Sequence, residues 1–243
     1  AGSGGSVAGE GNFSHDTLTA ISATPNSGYS FSGWSGEGVS DPSSASTTVL
    51  MDQNRSVSAT FSLNAYDLTI LAGAGGSVTG EGNFSHDTLT VISATPDRGY
   101  SFNGWSGEGV SNPSSVSTTV LMDQNRSVSA TFSPNSYELT LLAGSGGSVA
   151  GEGNFSHDTL TAISATPDNG YSFNGWSGEG VSNPSSASTT VLMDQNRSVS
   201  ATFSLNSYEL TLLAGSGGTV TGEGNFSHDT LTVISATPDN GYS

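Results

Sequence analysis

Apolar and polar residues alternate along this chain in short bursts. In "YDLTIL", Tyr66, Leu68 and Ile70 share one face of an extended segment, a period of two that predicts a strand. The Gly-rich stretch Gly73–Gly76 then turns the chain. "TLTVISAT" follows, with Leu89 and Val91 on one face and Ile92 and Ala94 on the other, so neither face reads as fully wet, and Pro96 closes the strand. "GYSFNGW" puts Tyr100 and Phe102 together, and Gly104 predicts a bulge that re-aims Trp105. "STTVLM" and "SVSATF" flank the polar "DQNR", which reads as a hairpin in which Val128, Ala130 and Phe132 alternate with serine and threonine. Gly, Ser, Thr and Asn dominate, and no apolar period of 3.6 lasts beyond a turn, so no helix is predicted.

The same pattern returns every 71 residues, with "GEGNFSHDTLT" at Gly9, Gly80, Gly151 and Gly222 and "GWSGEGVS" at Gly33, Gly104 and Gly175. A fixed period of this size marks a tandem array whose units contact mainly their neighbours. The predicted fold is all-β, an array of small antiparallel units, as beads on a string or a filament. The polar joints "SLNAY", "SPNSY" and "SLNSY" divide it into repeats at 1–62, 66–133 and 137–204 and a partial repeat at 208–243, with joints at 63–65, 134–136 and 205–207. The expected core of one unit is Trp105, Tyr100, Phe102, Phe132, Ile92, Val120 and Met122, which is small for the length, so packing between consecutive repeats is expected to add stability. The first repeat lacks the strand that the second supplies at Tyr66–Leu71, and the fourth stops before its Phe-x-Gly-Trp strand. The chain therefore reads as a window on a longer array, or as a subunit joined end to end with other copies.

Charge narrows the partners. Four arginines and no lysine stand against 21 acids, a formal charge of −17 that repels nucleic acid and anionic lipid. Such a surface suits an extracellular or cell-surface setting. There is no cysteine, so packing must hold the units without disulfides. No apolar run approaches the ~18 to 20 residues of a membrane span.

The ordered anchors "GGSV", "ISATPDRGYSFNGWSG" and "VLMDQNRSVSATF" resemble the divergent internalin-type B repeat of bacterial surface and secreted proteins. The resemblance implies a small β-rich unit related to the β-grasp type, used in tandem as a stalk or spacer in adhesins, and it brings no catalytic residues. The chain departs from that pattern at "GEGNFSHD", where a shorter Gly-rich turn is expected.

That stretch also carries the most suggestive chemistry, Ser14-His15-Asp16, which returns as Ser85-His86-Asp87, Ser156-His157-Asp158 and Ser227-His228-Asp229. A triad needs its three groups to converge, whereas neighbours on an extended chain point to opposite faces, and no nucleophile elbow accompanies the motif. The structural reading has Ser14 or Asp16 closing a turn and His15 making a surface or inter-repeat contact. Hard oxygen ligands at Glu10, Asp16, Glu37, Asp41 and Asp52 are candidates for calcium at a junction, although no EF-hand loop is present. The Asn-x-Ser pattern makes Asn12, Asn54, Asn83, Asn125, Asn154, Asn196 and Asn225 glycosylation candidates on turns that favour asparagine in any case.

Positions 8, 20 and 45 carry alanine in the first repeat and Ala150, Ala162 and Ala187 in the third, against Thr79, Val91 and Val116 in the second. This alternation reads as duplication of repeat pairs with some contribution from matched packing. The sequence as a whole predicts a non-enzymatic stalk, spacer or filament segment of an exported bacterial protein, with no other cofactor. Its alternative is a set of glycan-binding modules using Trp34, Trp105 and Trp176, which exposed tryptophans would favour.

Overall fold

The computed structural model describes residues 3–243, and they are all-β. They form two compact units, 3–133 and 134–243. In the first unit the leading repeat carries β1 (Gly5–Ala8), β2 (Thr17–Pro25), β3 (Tyr29–Ser35), β4 (Ser46–Met51) and β5 (Ser58–Leu63). The next repeat carries β6 (Ala65–Ala72), β7 (Gly76–Thr79), β8 (Gly82–Ser85), β9 (Thr88–Pro96), β10 (Tyr100–Ser106), β11 (Ser117–Met122) and β12 (Arg126–Pro134). The second unit repeats that seven-strand order as β13 (Ser136–Ala143), β14 (Gly147–Ala150), β15 (Gly153–Ser156), β16 (Thr159–Pro167), β17 (Tyr171–Ser177), β18 (Ser188–Met193) and β19 (Arg197–Leu205). It continues with β20 (Ser207–Leu210), β21 (Gly218–Thr221), β22 (Gly224–Ser227) and β23 (Ser235–Pro238).

A seven-strand repeat is two small sheets closed over one core. In the second repeat the orders are β10-β12-β6-β8 and β11-β9-β7. Leu68, Ile70, Ile92, Ala94, Trp105, Val120, Met122, Val128 and Ala130 from both sheets are buried between them. β6 with β8, β11 with β9 and β7 with β9 pair antiparallel, whereas β12 runs parallel to β6 from Arg126 opposite Leu68 to Ala130 opposite Ala72. The third repeat has the same parallel pair, β13 with β19. The glycine bulge is present: the register of β3 on β5 shifts between Phe31 and Gly33, and that of β17 on β19 between Phe173 and Gly175.

Four expectations need correction. "DQNR" is not a hairpin turn, because β11 pairs with β9 while β12 pairs with β6 and β10, so the tetrapeptide carries the chain from one sheet to the other. Val120 and Met122 on one side and Val128 and Ala130 on the other then meet in the core instead of lying side by side in one sheet. β9 does have a wet face: Leu89 and Val91 are 61% and 58% exposed, while Thr90, Ile92 and Ala94 point inward. Tyr100 lies over Gly75, where an added Cβ would overlap its ring, and is not part of the buried cluster. The alternating positions 79, 91 and 116 are likewise all exposed, so close packing places no demand on their volumes.

"GEGNFSHD" also has its explanation. It forms an added edge strand, β8, that pairs antiparallel with β6 from Ala65 opposite Ser85 to Leu68 opposite Gly82. β15 does the same for β13, and β22 for β20.

Candidate functional site: the joint between repeats

The three-residue joints shrink to one residue each, because β5 runs to Leu63 and β6 begins at Ala65, leaving Asn64 alone between strands. Asn135 and Asn206 stand in the same place. In the first unit the Asn64 amide donates to the Gly28 carbonyl at 2.8 Å, and its own carbonyl accepts the His86 amide at 2.8 Å. The Ser30 hydroxyl donates to Asn64 Oδ1 at 2.6 Å. The backbone of the joint residue is therefore tied backward to one repeat and forward to the next. In the second unit Asn206 makes the same bonds with Gly170 and His228, and Ser172 holds its side chain. With donor, acceptor and side chain all engaged, the joint has little freedom left to swing.

The histidine completes the contact. His86 is only 13% exposed at its side chain, with its ring 6.0 Å from that of Tyr66 in an edge-on arrangement. It lies against Gly28, whose φ of 78° suits glycine and where a Cβ would overlap the imidazole. His228 packs in the same manner on Gly170 and Tyr208. His15 is 73% exposed at its side chain, with no joint asparagine bonded to its amide. Asp16, Asp87, Asp158 and Asp229, each with φ of 60–62°, occupy the left-handed position of the turn. The Asp87 amide donates to the Met122 carbonyl at 3.0 Å and fixes the turn to β11. At His86 and His228 the motif is thus part of a joint, and among the described residues no serine hydroxyl of the motif bonds its imidazole.

The other candidate residues are also engaged elsewhere or lie apart. Trp34, Trp105 and Trp176 are buried; Trp105 is 5% exposed, donates Nε1 to the Ser115 carbonyl at 3.0 Å and packs on Phe102 at 5.7 Å. They offer no ring face for a sugar, which removes the basis of the glycan alternative. Asp52 and Glu37 are both taken by Arg55, at 2.6 and 2.9 Å. The arginine hydrogen bond holds the Asp52 carboxyl below the usual carboxylate value. Asp41 is likewise held low, by the Ser43 hydroxyl and amide at 2.7 and 2.9 Å. Glu10 is exposed and Asp16 faces His15 at 3.2 Å. Among the described residues no three such groups converge as a cation site would need. Asn125 and Asn196 use their Oδ1 to accept the amides of Asp67 and Glu138 at 2.9 Å, and Asn83 donates to Asp67 at 2.7 Å. Asn12, Asn54, Asn154 and Asn225 are exposed.

Two features escaped the sequence reading. One is the joint asparagine, signalled only by its return in "SLNAY", "SPNSY" and "SLNSY". The other is a clamp in which Arg55, Arg126 and Arg197 each hold one aspartate three residues back and one distant glutamate. Only Arg98 of the four cations lies outside these clamps.

The family signature of the divergent InlB B-repeat domain matches residues 1–65, 66–136, 137–207 and 208–243, four tandem copies across the chain. The chain belongs to the divergent InlB B-repeat family. No curated protein and no solved structure matches it. InlB B-repeats of this kind are typical of surface proteins, and no helix among the described residues is long and apolar enough to cross a membrane.

Proposed function

We propose that the chain is a non-enzymatic structural segment, a stalk, spacer or filament portion of an exported bacterial surface protein, placed outside the cell. The observation that carries this reading is the one-residue joint, in which Asn64 is hydrogen-bonded to the repeats on both sides. A spacer transmits position only if its joints resist bending, and a single tethered residue does so better than a free linker. Three further features support it. The candidate chemistry is consumed by turns, clamps and joints. The tryptophans are core residues. An acidic surface with one unclamped arginine keeps neighbouring stalks apart and hydrated.

Single-molecule stretching of the chain tests the proposal. Complete repeats should unfold one at a time, each releasing a contour length of roughly 24 nm, the span of one 71-residue period at about 3.4 Å per residue. Smooth extension at low force with no discrete events would rule out a load-bearing spacer.

A further inference from the structure

Asparagine followed by glycine occurs at Asn103-Gly104, Asn169-Gly170, Asn174-Gly175 and Asn240-Gly241. Such a pair is chemically labile, because glycine has no side chain to shield its amide nitrogen from the preceding carboxamide. The fold treats the four differently. Asn103 and Asn174 lie within β10 and β17, and their Oδ1 atoms accept the Ser133 and Ser204 hydroxyls at 2.9 and 2.8 Å. Phe173 and Gly175, on either side of Asn174, are paired with Phe203 and Thr202 of β19. Asn169 and Asn240 instead sit exposed in the same turn of successive repeats, where the Tyr171 and Tyr242 amides donate to the Asp168 and Asp239 carbonyls at 3.0 Å.

The turn at Asn169 is also one wall of a joint. The Gly170 carbonyl accepts the Asn206 amide at 2.8 Å, and Gly170 carries the His228 ring where a Cβ would overlap it. Asn169 Nδ2 stands 3.5 Å from His228 Nε2. In the first unit the equivalent seat is Gly28, beneath Asn64 and His86, and the residue before it is Ser27. That joint therefore lacks the labile pair.

We propose that Asn169 is a site of spontaneous covalent modification through which the joint of the second unit changes with age. The Gly170 amide nitrogen loses its proton to water and attacks Asn169 Cγ; a C–N bond forms, the bond to Nδ2 breaks, and that nitrogen leaves as ammonia. Water then opens the five-membered imide at either of its two carbonyls, which leaves aspartate or isoaspartate. Among the described residues nothing accepts a hydrogen bond from the Gly170 amide, so the attacking nitrogen has no partner to give up. Ring closure needs a backbone rotation that an exposed turn makes readily and a paired strand resists. Either product sets a carboxylate against the His228 ring. Isoaspartate also adds one methylene to the main chain just ahead of Gly170, which moves the carbonyl that ties Asn206. The inference does not rest on the stalk reading, since it concerns one peptide bond and its neighbours.

The test ages the 243-residue chain at mildly alkaline pH and physiological temperature and follows each asparagine by peptide mass spectrometry. Asn169 and Asn240 should convert roughly tenfold or more faster than Asn103 and Asn174. Hydrogen exchange of the aged chain should then show lost protection at the Asn206 and His228 amides, with the Asn64 and His86 amides unchanged. Asn169→Gln, whose longer side chain forms the cyclic imide far more slowly, should keep the second joint protected over the same period, which separates this reaction from general ageing. Conversion of Asn103 or Asn174 as fast as Asn169 overturns the site. Conversion at Asn169 with unchanged exchange at Asn206 and His228 overturns its link to the joint, as does an equal loss of protection in Asn169→Gln.

Discussion

The identical octapeptides at Ser136–Ala143 and Ser207–Ala214 allow tertiary packing to be weighed against local sequence in one molecule. Leu139 is 1% exposed within a core that includes Ile163, Val191, Met193 and Val199. Leu139→Ala removes three carbons from that core, worth about 2 kcal/mol in transfer, and leaves a cavity that raises the total to about 3 to 4 kcal/mol. Leu210 has the same sequence neighbours, but no strand faces it on its parallel edge, and it is half-buried. Its truncation should cost about 1 kcal/mol or less. Native-state hydrogen exchange resolved by segment is the suitable assay, because an array need not unfold in two states. Protection of β16–β19 should fall roughly a hundredfold or more in Leu139→Ala, and that of β20 and β22 by less than about tenfold in Leu210→Ala. Equal losses in both repeats would refute the claim that the parallel strand pair, not the sequence of the opening strand, supplies the stability.

Trp105→Ala should lower the stability of the second repeat by about 3 to 5 kcal/mol by thermal or denaturant unfolding, with no change in any sugar affinity. A variant that keeps its melting temperature would contradict the buried position of the ring. Arg126→Ala should cost about 1 to 2 kcal/mol, because the arginine side chain is itself buried while its partners are partly or largely exposed. Most of that should come from the shorter Asp123 contact, so Glu108→Gln should be nearly silent in the same melts. Asp52 and Asp41 have carboxyls held below the ordinary value of 3.8, so their contribution is complete above it and is lost as pH falls through the lowered folded values. The melting temperature of the first repeat should therefore hold down to about pH 4 and fall below it, with a shallower fall in Asp52→Asn; a flat profile to about pH 2 would be inconsistent with the clamp.

Alternation of period two located the strands because one face of each is buried: Leu68 and Ile70 against Asp67 and Thr69 is the pattern at its clearest, whereas in β9 the exposed Leu89 and Val91 disguised it. The Gly-Trp bulge was legible because glycine between aromatics has few other uses in a strand. Pairing was not legible. Period two states which face a residue takes but not which strand lies beside it, so the parallel partners Leu68 and Arg126, far apart in sequence, left no local mark. "DQNR" misled for a related reason, since a polar tetrapeptide joins strands of different sheets as readily as strands of one. Ser-His-Asp had a spacing that argued against a convergent triad. Its use could not be read there, because His86 acquires a role only through Gly28 and Asn64 in the preceding part of the array. The Asp52–Arg55 contact was close in sequence, but Glu37 reaches Arg55 only through the fold.

The central claim is that the two repeats within each unit are fixed to each other by a single tethered residue, Asn64 in the first and Asn206 in the second. Because the chain has no cysteine, Thr24→Cys in β2 and Thr95→Cys in β9 would place spin labels on the exposed faces of the first two repeats and nowhere else. Pulsed electron resonance should then give one narrow distance distribution, broadened when Asn64 is replaced by glycine. A wild-type distribution spread over roughly 10 Å or more, as a freely jointed three-residue linker would produce, would contradict the account.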